Sequence, residues 1–316
     1  MLEINGLVKS YGKFTAVNNL SFKIEKGAVF GFVGPNGAGK TTTMKIMAGL
    51  LGATSGSILI DGLDVVKDKK LLKEKMGYMP DFFGVYDNLK VSEYMDFYAG
   101  TYYIPYSKRP ALIDGLLELV DLTEKKDFYV DSLSRGMKQR LCLARSLIHD
   151  PEILLLDEPA SGLDPRARVE LKEILKNLGS MGKTIIISSH ILPELAEMCT
   201  EIGIIDKGVM KAQGTVQQIM RMLSKKRRIE IKPFENMAGL VGILKELPDI
   251  CAITENNDTV EIDFEGDDAR LAAILKELVT GGIPILSFRE REGNLEEIFM
   301  EITGGGQNDA KSDIKA

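Results

Sequence analysis

The sequence predicts an α/β protein in which the strands of a parallel sheet alternate with helices, followed by a smaller α+β domain. A glycine-rich loop at residues 34–41 lies between the apolar, strand-like residues 29–33 and a helix-compatible stretch. Residues 153–156 and 185–187 are continuous apolar runs, which are typical of strands buried on both faces of a parallel sheet. After residue 228 the order becomes strand, helix, strand, strand, helix, strand, which is that of a ferredoxin-like domain.

The glycine-rich loop reads GPNGAGKT and has the G-x-x-x-x-G-K-[ST] spacing of a P-loop. Its glycines allow a tight turn whose N–H groups point at an anion, and the positive end of the following helix adds to the attraction. We expect Lys40 to reach the β- and γ-phosphates and the Thr41 hydroxyl to bind magnesium. The sequence therefore predicts a nucleoside triphosphate site formed by Gly34, Pro35, Asn36, Gly37, Ala38, Gly39, Lys40, Thr41 and Thr42.

Alternation, caps and turn residues predict the other elements of the first domain. Ser134 is expected to cap a helix that continues to Ile148, and Asp164, followed by Pro165, is expected to cap the next one. His149 is interpreted as a capping residue at a helix end. Strands are predicted at residues 2–7, 20–24 and 57–60, a short helix at residues 192–198 and a hairpin through residues 206–208.

A mainly helical subdomain is predicted at about residues 88–150, inserted into the α/β core. Although the whole chain is only 7% aromatic, many aromatic residues crowd into one segment, residues 82–106, that leads into this subdomain. Two interpretations stay open, because clustered aromatic rings pack together in local cores and are also enriched at the centres of interfaces. The residues are Phe82, Phe83, Tyr86, Tyr94, Phe97, Tyr98, Tyr102, Tyr103 and Tyr106.

The domain limits follow from a change in composition. A basic run at residues 225–228 indicates a solvated linker, with attraction to anionic lipid as the other interpretation. We therefore predict a first domain at residues 1–222 and a ferredoxin-like domain at residues 229–303 that ends in a short helix at 295–302. The glycine-rich, polar residues 304–316 are predicted to be disordered.

The composition is that of an ordinary globular chain of 316 residues, with 44% hydrophobic and 27% charged residues. A net charge of −6 gives no support for nucleic acid as a general partner. Cys142, Cys199 and Cys251 are far apart and odd in number, which argues against a disulfide frame or a zinc site and fits a reducing cytosol. No apolar stretch approaches the ~20 residues that span a bilayer, so we expect any action on a membrane to require another chain.

Two acidic residues, Asp157 and Glu158, directly follow the buried strand at residues 153–156. In a P-loop protein an acid at such a strand end holds magnesium, and we assign this role to Asp157. Glu158 lies one residue further out and is the better candidate to orient the attacking water. A strand that ends in two acids is weak evidence alone, but the P-loop upstream makes it strong.

A second helix start, at residues 134–140, also presents a glycine and free N–H groups that can receive an anion. One nucleotide needs one P-loop, so this feature needs another explanation. Here the chain resembles the ATP-binding cassette (ABC) transporter ATPases. Their P-loop, signature sequence, acidic strand end, D-loop and switch histidine have counterparts in the same order between Tyr11 and His190.

The resemblance implies a role for each matching residue. Tyr11 is similar to the aromatic residue that stacks on adenine, and His190 to the switch histidine that contacts the γ-phosphate. The signature, which in the family contacts the γ-phosphate of ATP held by the opposite subunit, corresponds to Ser134, Arg135, Gly136 and Met137. The D-loop, which crosses the dimer seam, corresponds to Ser161, Gly162, Leu163 and Asp164.

Two positions depart from the family pattern. Asp81 stands where the family usually has glutamine, and its shorter, charged side chain puts its role as a ligand of magnesium or water in doubt. Arg135 replaces a glycine of the signature, and either adds a cation near phosphate or faces solvent. Neither departure affects the predicted catalytic residues Lys40, Glu158 and His190, so we expect an active ATPase with ATP and Mg²⁺ as its ligands.

The resemblance implies an ATP-hydrolysing transporter subunit that dimerises around two ATP, with itself or with another ABC ATPase. The dimer would drive a separate membrane permease, and the subunit would be cytoplasmic, bound to the inner face of the cell membrane through that permease. Residues 287–290 and 295–299 resemble the C-terminal extension of bacterial exporter-type ATPases, which favours export.

Two rival functions are considered. A soluble ABC-type ATPase that clamps nucleic acid or ribosomes would tend to have long coiled coils or two cassettes, whereas this chain has one cassette and an acidic balance. A module that senses ATP without hydrolysing it would not need the acidic pair Asp157 and Glu158.

Overall fold

The computed structural model describes residues 1–82, 84, 86, 88–223 and 227–291, and its contacts divide the chain into two compact units, Met1–Val216 and Gln217–Ala316. The predicted domain limits at residues 222, 229 and 303 stay predictions. Phe83, part of the basic run, the predicted last helix and the predicted tail lie outside the described residues.

A parallel sheet forms the centre of the first unit. In the described part of the chain its strands are β3 (Val29–Val33), β6 (Met76–Met79), β7 (Ile153–Asp157), β8 (Thr184–Ser189), β9 (Glu201–Asp206) and β10 (Val209–Gly214), in the order β10-β9-β3-β8-β7-β6. Every residue of β3, β7 and β8 is buried, which confirms the parallel interior predicted from the apolar runs. Only β10 pairs in the antiparallel sense, in the predicted hairpin with β9.

This strand order decides where the site forms. The carboxyl ends of β3, β6, β7 and β8 lie at one edge of the sheet, because these strands are parallel. The P-loop, Asp81, Glu158 and His190 each follow one of these ends. Segments that are more than a hundred residues apart in the chain therefore meet in one place.

An antiparallel sheet packs beside the central one. Its strands are β1 (Leu2–Tyr11), β2 (Phe14–Ile24), β4 (Ser55–Ile60) and β5 (Leu63–Asp64), in the order β2-β1-β4-β5. Alternate side chains of β2 enter the core, where the ring of Phe22 stacks on Phe30 and Phe32 of β3 at centroid distances of 5.5 and 5.6 Å. The two sheets thus share one apolar core.

The helices of the first unit are α1 (Lys40–Met47), α2 (Lys69–Lys75), α3 (Val91–Thr101), α4 (Arg109–Leu119), α5 (Arg135–Ser146), α6 (Pro165–Ser180) and α7 (Leu192–Ala196), followed by α8 (Val216–Leu223) at its boundary. Both predicted caps are confirmed. Ser134 Oγ accepts a hydrogen bond from the Met137 N–H (3.3 Å), and Asp164 Oδ1 accepts one from the Ala167 N–H (2.9 Å). Among the described residues, no helix combines the length and the hydropathy needed to cross a membrane.

The aromatic cluster divides between core and surface. Tyr94 is fully buried and its hydroxyl accepts a hydrogen bond from Arg145 Nη1 (3.0 Å), whereas Phe82 and Tyr103 are 91% and 92% exposed. Neither interpretation of the cluster holds for all its members. The interpretation of His149 as a helix cap is wrong, because its Nε2 contacts the Met76 carbonyl of β6 (3.1 Å) and its ring stacks on Tyr102.

The second unit has the predicted βαββαβ order. Its described elements are β11 (Arg227–Pro233), α9 (Met237–Glu246), β12 (Ile250–Glu255), β13 (Val260–Phe264), α10 (Asp268–Thr280) and β14 (Ile285–Arg291). The strand order β12-β13-β11-β14 is antiparallel throughout, as in a ferredoxin-like sheet. Ile229, Ile262 and Phe264 of the sheet pack with Leu240 and Leu244 of α9 in a core of its own.

Candidate functional site

The P-loop backbone leaves no room for side chains at two of its glycines. A β-carbon on Gly34 would lie 2.4 Å from the Ile205 carbonyl oxygen. A β-carbon on Gly39 would lie 2.5 Å from the Ala16 carbonyl oxygen, and Gly39 also has a φ of +104°, in the left-handed region that favours glycine. The close approach of β2 and β9 to the loop thus explains why these positions are glycine.

Lys40 is a buried cation held inside this site, with only 5% of its surface exposed. Its Nζ donates hydrogen bonds to the Gly34 carbonyl (2.7 Å) and the Pro35 carbonyl (3.3 Å), and lies 3.3 Å from Glu158 Oε1. The other carboxylate oxygen, Glu158 Oε2, lies 2.9 Å from His190 Nδ1. The three predicted catalytic residues therefore form one connected chain of contacts. The pairing of Lys40 with Glu158 is expected, because a buried charge must be paired to be tolerated.

Ser188, which the sequence analysis did not assign, holds both acidic residues in place. Its hydroxyl donates to Asp157 Oδ1 (2.6 Å) and accepts from the Glu158 N–H (2.9 Å). The second bond supports Glu158 in a left-handed conformation with a φ of +49°, which is costly for a residue with a side chain. The available signal for Ser188 was its position at the end of the predicted strand β8. Its pairing with Asp157 could be inferred only once the strand order was known.

Asp157 and Thr41 offer oxygen atoms that fit a magnesium ion. Asp157 is fully buried, and its Oδ1 also accepts a hydrogen bond from Thr41 Oγ1 (3.2 Å). Its Oδ2 is buried and makes no hydrogen bond with any residue that the structure describes. Burial raises the pKa of the Asp157 carboxyl, while the hydrogen bonds from Ser188 and Thr41 oppose this rise. A hard cation would satisfy the free oxygen.

A cavity of about 390 Å³ joins the P-loop to these groups. Tyr11 lies in its lining, as do Asp81, Glu158, Ser161 and His190, so the predicted residues meet at one place. The P-loop itself contributes Asn36, Gly37, Ala38, Gly39, Lys40, Thr41 and Thr42. Pro35 contacts the site through its carbonyl, which accepts from Lys40.

Phe14 lines this cavity and was also missed by sequence reasoning. It pairs with Tyr11 across the turn between β1 and β2, and the two rings are 63% and 50% exposed. The Lys9 ammonium lies 5.1 Å from the centre of the Tyr11 ring. Two exposed aromatic rings at the mouth of a phosphate-binding loop form a surface on which a base can stack.

The signature residues lie elsewhere. Ser134, Gly136 and Met137 line a separate cavity of about 680 Å³ together with Asp121 and Glu170, and none of the three lines the P-loop cavity. Of the D-loop, Ser161 lines the P-loop cavity, Leu163 is buried and Asp164 caps α6. Arg135 is exposed, which agrees with the expectation that it faces solvent, and its guanidinium lies against Gly162 of the D-loop.

A P-loop on one parallel strand and a buried acid on a nearby one define a P-loop nucleotide-binding protein. A family model described as "ABC transporter" matches residues 17–161, and one described as "ATP-binding protein DrrA1-3-like, C-terminal domain" matches residues 214–303.

Relatives match along almost the whole chain. The linearmycin resistance ATP-binding protein LnrL of Bacillus subtilis (strain 168) is 34% identical over 307 residues, which cover 96% of this chain and 98% of that protein. The Nod factor export ATP-binding protein I of Ralstonia nicotianae is 32% identical over 309 residues, 98% of this chain and 95% of that protein. The chain belongs to the ATP-binding proteins of ABC transporters, and it is an ATPase of that family.

Solved structures agree in fold. A structure described as the ATP-binding subunit of an ABC transporter is 28% identical with a TM-score of 0.63, and the match covers 70% of this chain and 92% of that one. The cassette MJ0796 bound to ADP and Pi is 24% identical with a TM-score of 0.63, over 68% of this chain and 99% of that one. At this identity the second likeness supports the fold alone.

Proposed function

We propose that this chain forms a dimer that binds two ATP at its seam, each between the P-loop of one copy and the signature of the other. One observation carries the proposal: Ser134 and Gly136 line a different cavity from the P-loop. A helix start that is suited to phosphate, and that does not face its own chain's nucleotide site, is explained if it serves a neighbouring copy.

Within one such site, each residue has a distinct task. Lys40 balances phosphate charge, exchanging its carbonyl and Glu158 contacts for phosphate oxygens. Glu158 accepts a hydrogen bond from the attacking water and orients it, and Ser188 holds the Glu158 backbone in the required conformation. His190, now 2.9 Å from Glu158, contacts the γ-phosphate, while Tyr11 and Phe14 hold the base.

Thr41 and Asp157 would hold magnesium, consistent with the unpaired buried oxygen of Asp157. When bound, the ion neutralises charge on the phosphate oxygens. Asp81 lines the same cavity and adds a second carboxylate there, close enough to raise the pKa of Asp157. We assign Asp81 to the water around the ion, because its side chain is shorter than the glutamine usual in the family.

The dimer is tested with Glu158→Gln, which keeps the shape of the side chain but cannot accept a proton. Turnover is expected to fall by about 10²–10⁴-fold, and ATP is expected to convert the chain from monomer to dimer in gel filtration. Adding Ser134→Arg to this variant should abolish the dimer, whereas adding Ser180→Arg, at an exposed serine near the end of α6, should not. A Glu158→Gln chain that stays monomeric with ATP would refute the proposal.

Mixing two inactive variants tests the shared site directly. Lys40→Ala removes the P-loop cation and Ser134→Arg blocks the signature, so each alone should be nearly inactive. A mixture contains dimers in which the intact P-loop of the Ser134→Arg chain faces the intact signature of the Lys40→Ala chain. Part of the activity should therefore return. No recovery from two folded variants that form mixed dimers would show that the sites are not shared.

We further propose that the dimer drives a separate membrane permease that exports its substrate, and is bound to the inner face of the membrane through it. The names of two relatives, which concern linearmycin resistance and Nod factor export, support an exporter. The exposed aromatics Phe97 and Tyr106 line a groove of about 560 Å³ with Pro110 and Ile113, which is a suitable docking surface.

A photo-cross-linking amino acid at Phe97 or Tyr106 should capture a membrane protein in cells that make the whole transporter. The control is the same amino acid at Val169, whose exposure lies between those of Phe97 and Tyr106 but which lies on α6. Tyr94 is unsuitable because it is fully buried. Capture that is equal at Val169, or only within the chain itself, would argue against this docking surface.

A further inference from the structure

The first residues of α5 contact three consecutive residues of the D-loop of the same chain. Gln139 Nε2 donates a hydrogen bond to the Ser161 carbonyl (3.2 Å). A β-carbon on Gly136 would lie 3.5 Å from Leu163 Cδ2, so α5 packs closely on this residue. Between them, Arg135 covers Gly162. Residues 135, 136 and 139 therefore contact D-loop residues 161–163 from one side of the helix.

The contact between Arg135 and Gly162 fills the space that a side chain at residue 162 would need. A β-carbon on Gly162 would lie 2.5 Å from both Cζ and Nη1 of Arg135 and 2.7 Å from Nη2. The guanidinium thus lies directly on the Gly162 backbone, which has a φ of +67° and leaves this space open. Arg135 is an exposed residue, and its side chain makes no hydrogen bond or ion pair with the residues described in the structure, so contact with the D-loop is the interaction that places its head group there.

The D-loop connects this contact to the nucleotide site. Ser161, one residue before Gly162, lines the P-loop cavity together with Glu158, and its N–H donates to the Glu158 carbonyl (3.1 Å). A shift of the D-loop would therefore move the backbone that carries the candidate water-orienting residue. Glu158 already has a left-handed backbone, which makes its position sensitive to its neighbours.

We propose that Arg135 is a positioning residue that holds the D-loop at Gly162 and so fixes Ser161 and Glu158 in the chain's own ATP site. It acts through the area of its flat head group, not through its charge. Arg135 thus replaces the signature glycine of the family with a cis contact, and links the segment that serves a neighbouring copy to the chain's own site. This inference rests on the ATPase activity and deepens the proposed function.

The test separates packing from charge with two variants of the full chain. Arg135→Met keeps a long side chain that can cover Gly162 but has no charge, whereas Arg135→Ala removes the cover. We expect Arg135→Ala to lower kcat roughly tenfold with little change in KM, since small displacements of catalytic groups are costly. Arg135→Met should retain most of the kcat. Thermal unfolding is measured for both, to show that the variants are equally folded.

Hydrogen exchange gives an independent measurement of the D-loop. The N–H groups of Ser161 and Leu163 donate to the Glu158 and Ala160 carbonyls (3.1 and 3.3 Å), so a loosened D-loop should exchange them faster. The increase should occur in Arg135→Ala and not in Arg135→Met. Equal losses of kcat with a raised KM in both variants would mean that the charge touches phosphate, and would overturn the proposal.

Unchanged exchange and kcat in Arg135→Ala would also overturn it. These outcomes are independent of the dimer. If the Glu158→Gln chain remains monomeric with ATP while Arg135→Ala alters exchange, the dimer proposal fails and the positioning role stands. If the Glu158→Gln dimer forms and exchange is unaltered, only the positioning role fails.

Discussion

The P-loop cavity and the signature start are both phosphate-binding features of one chain, but they are built in opposite ways. Lys40, Asp157 and Ser188 are buried, and each is bound by several groups of the same chain. Ser134 and Arg135 are exposed, and the Ser134 hydroxyl accepts a hydrogen bond from the Met137 N–H of the helix that it caps. The buried groups of the first site are paired within the chain, whereas the second site is exposed to a ligand from outside.

This difference follows from the cost of burying charge. A lysine or aspartate taken out of water must find partners within the fold, so the P-loop site is organised by its own hydrogen bonds before any nucleotide binds. An exposed helix start is solvated and needs no such support. We therefore expect substitutions in the P-loop site to affect both stability and binding, and substitutions of Ser134 to affect only what a second copy would contribute.

The largest expected effect concerns ADP, which lacks the γ-phosphate assigned to the signature. Lys40→Ala should lower the affinity for ADP on the order of 30-fold or more, because truncating a buried charged partner costs about 2–5 kcal/mol. Ser134→Ala should leave it within about twofold, since the residue lines another cavity. Calorimetry measures both. A comparable loss in the two variants would show that one chain uses both features on one nucleotide.

A second test compares two serines. Ser188→Ala removes the bonds to Asp157 and Glu158, and is expected to lower the free energy of unfolding by about 1–3 kcal/mol and to reduce kcat. Ser180→Ala removes an exposed serine that bonds only to the Asn177 carbonyl of its own helix, and should change neither by a measurable amount. Denaturant unfolding and steady-state ATPase assays decide between these outcomes. If Ser188→Ala unfolds and turns over like wild type, the buried site is not held as we describe.

The smallest effect concerns pH and lies outside both sites. Burial lowers the pKa of His149, because the protonated ring would carry a charge away from water. Its Nδ1 has no hydrogen-bond partner among the described residues that could stabilise the added proton. The unfolded chain then binds more protons than the folded one below the ordinary histidine pKa of about 6.5, so stability falls as the pH falls through this range.

His149→Phe keeps a ring to stack on Tyr102 but cannot titrate. Its stability should therefore fall less than that of wild type when the pH is lowered from about 7.5 to about 5.5. Thermal melting of the two proteins across this range makes the measurement, and parallel curves would contradict the assignment. ADP affinity should remain the same in both, because His149 does not line the P-loop cavity.

Patterns within short segments allowed much of the site to be predicted. The P-loop spacing identified the loop that lines the cavity, and the caps at Ser134 and Asp164 were read from single residues at helix starts. The positions of His149 and of the aromatic cluster were harder to predict, because the same residue types occur at caps, in cores and on surfaces. Only their neighbours in space, such as Met76 for His149 and Arg145 for Tyr94, distinguish these cases.

The local parts of the site can be predicted from the amino-acid sequence alone: a glycine loop between strand and helix, a buried strand that ends in two acids, and a second helix start suited to anions. Tertiary structure decided that Ser188 supports Asp157 and Glu158, that Phe14 joins Tyr11, and that the signature lies apart from the P-loop. Backbone conformation depends on near neighbours and leaves a periodic record in the chain. Contacts between distant segments depend on the order of strands in the sheet, which no short segment contains.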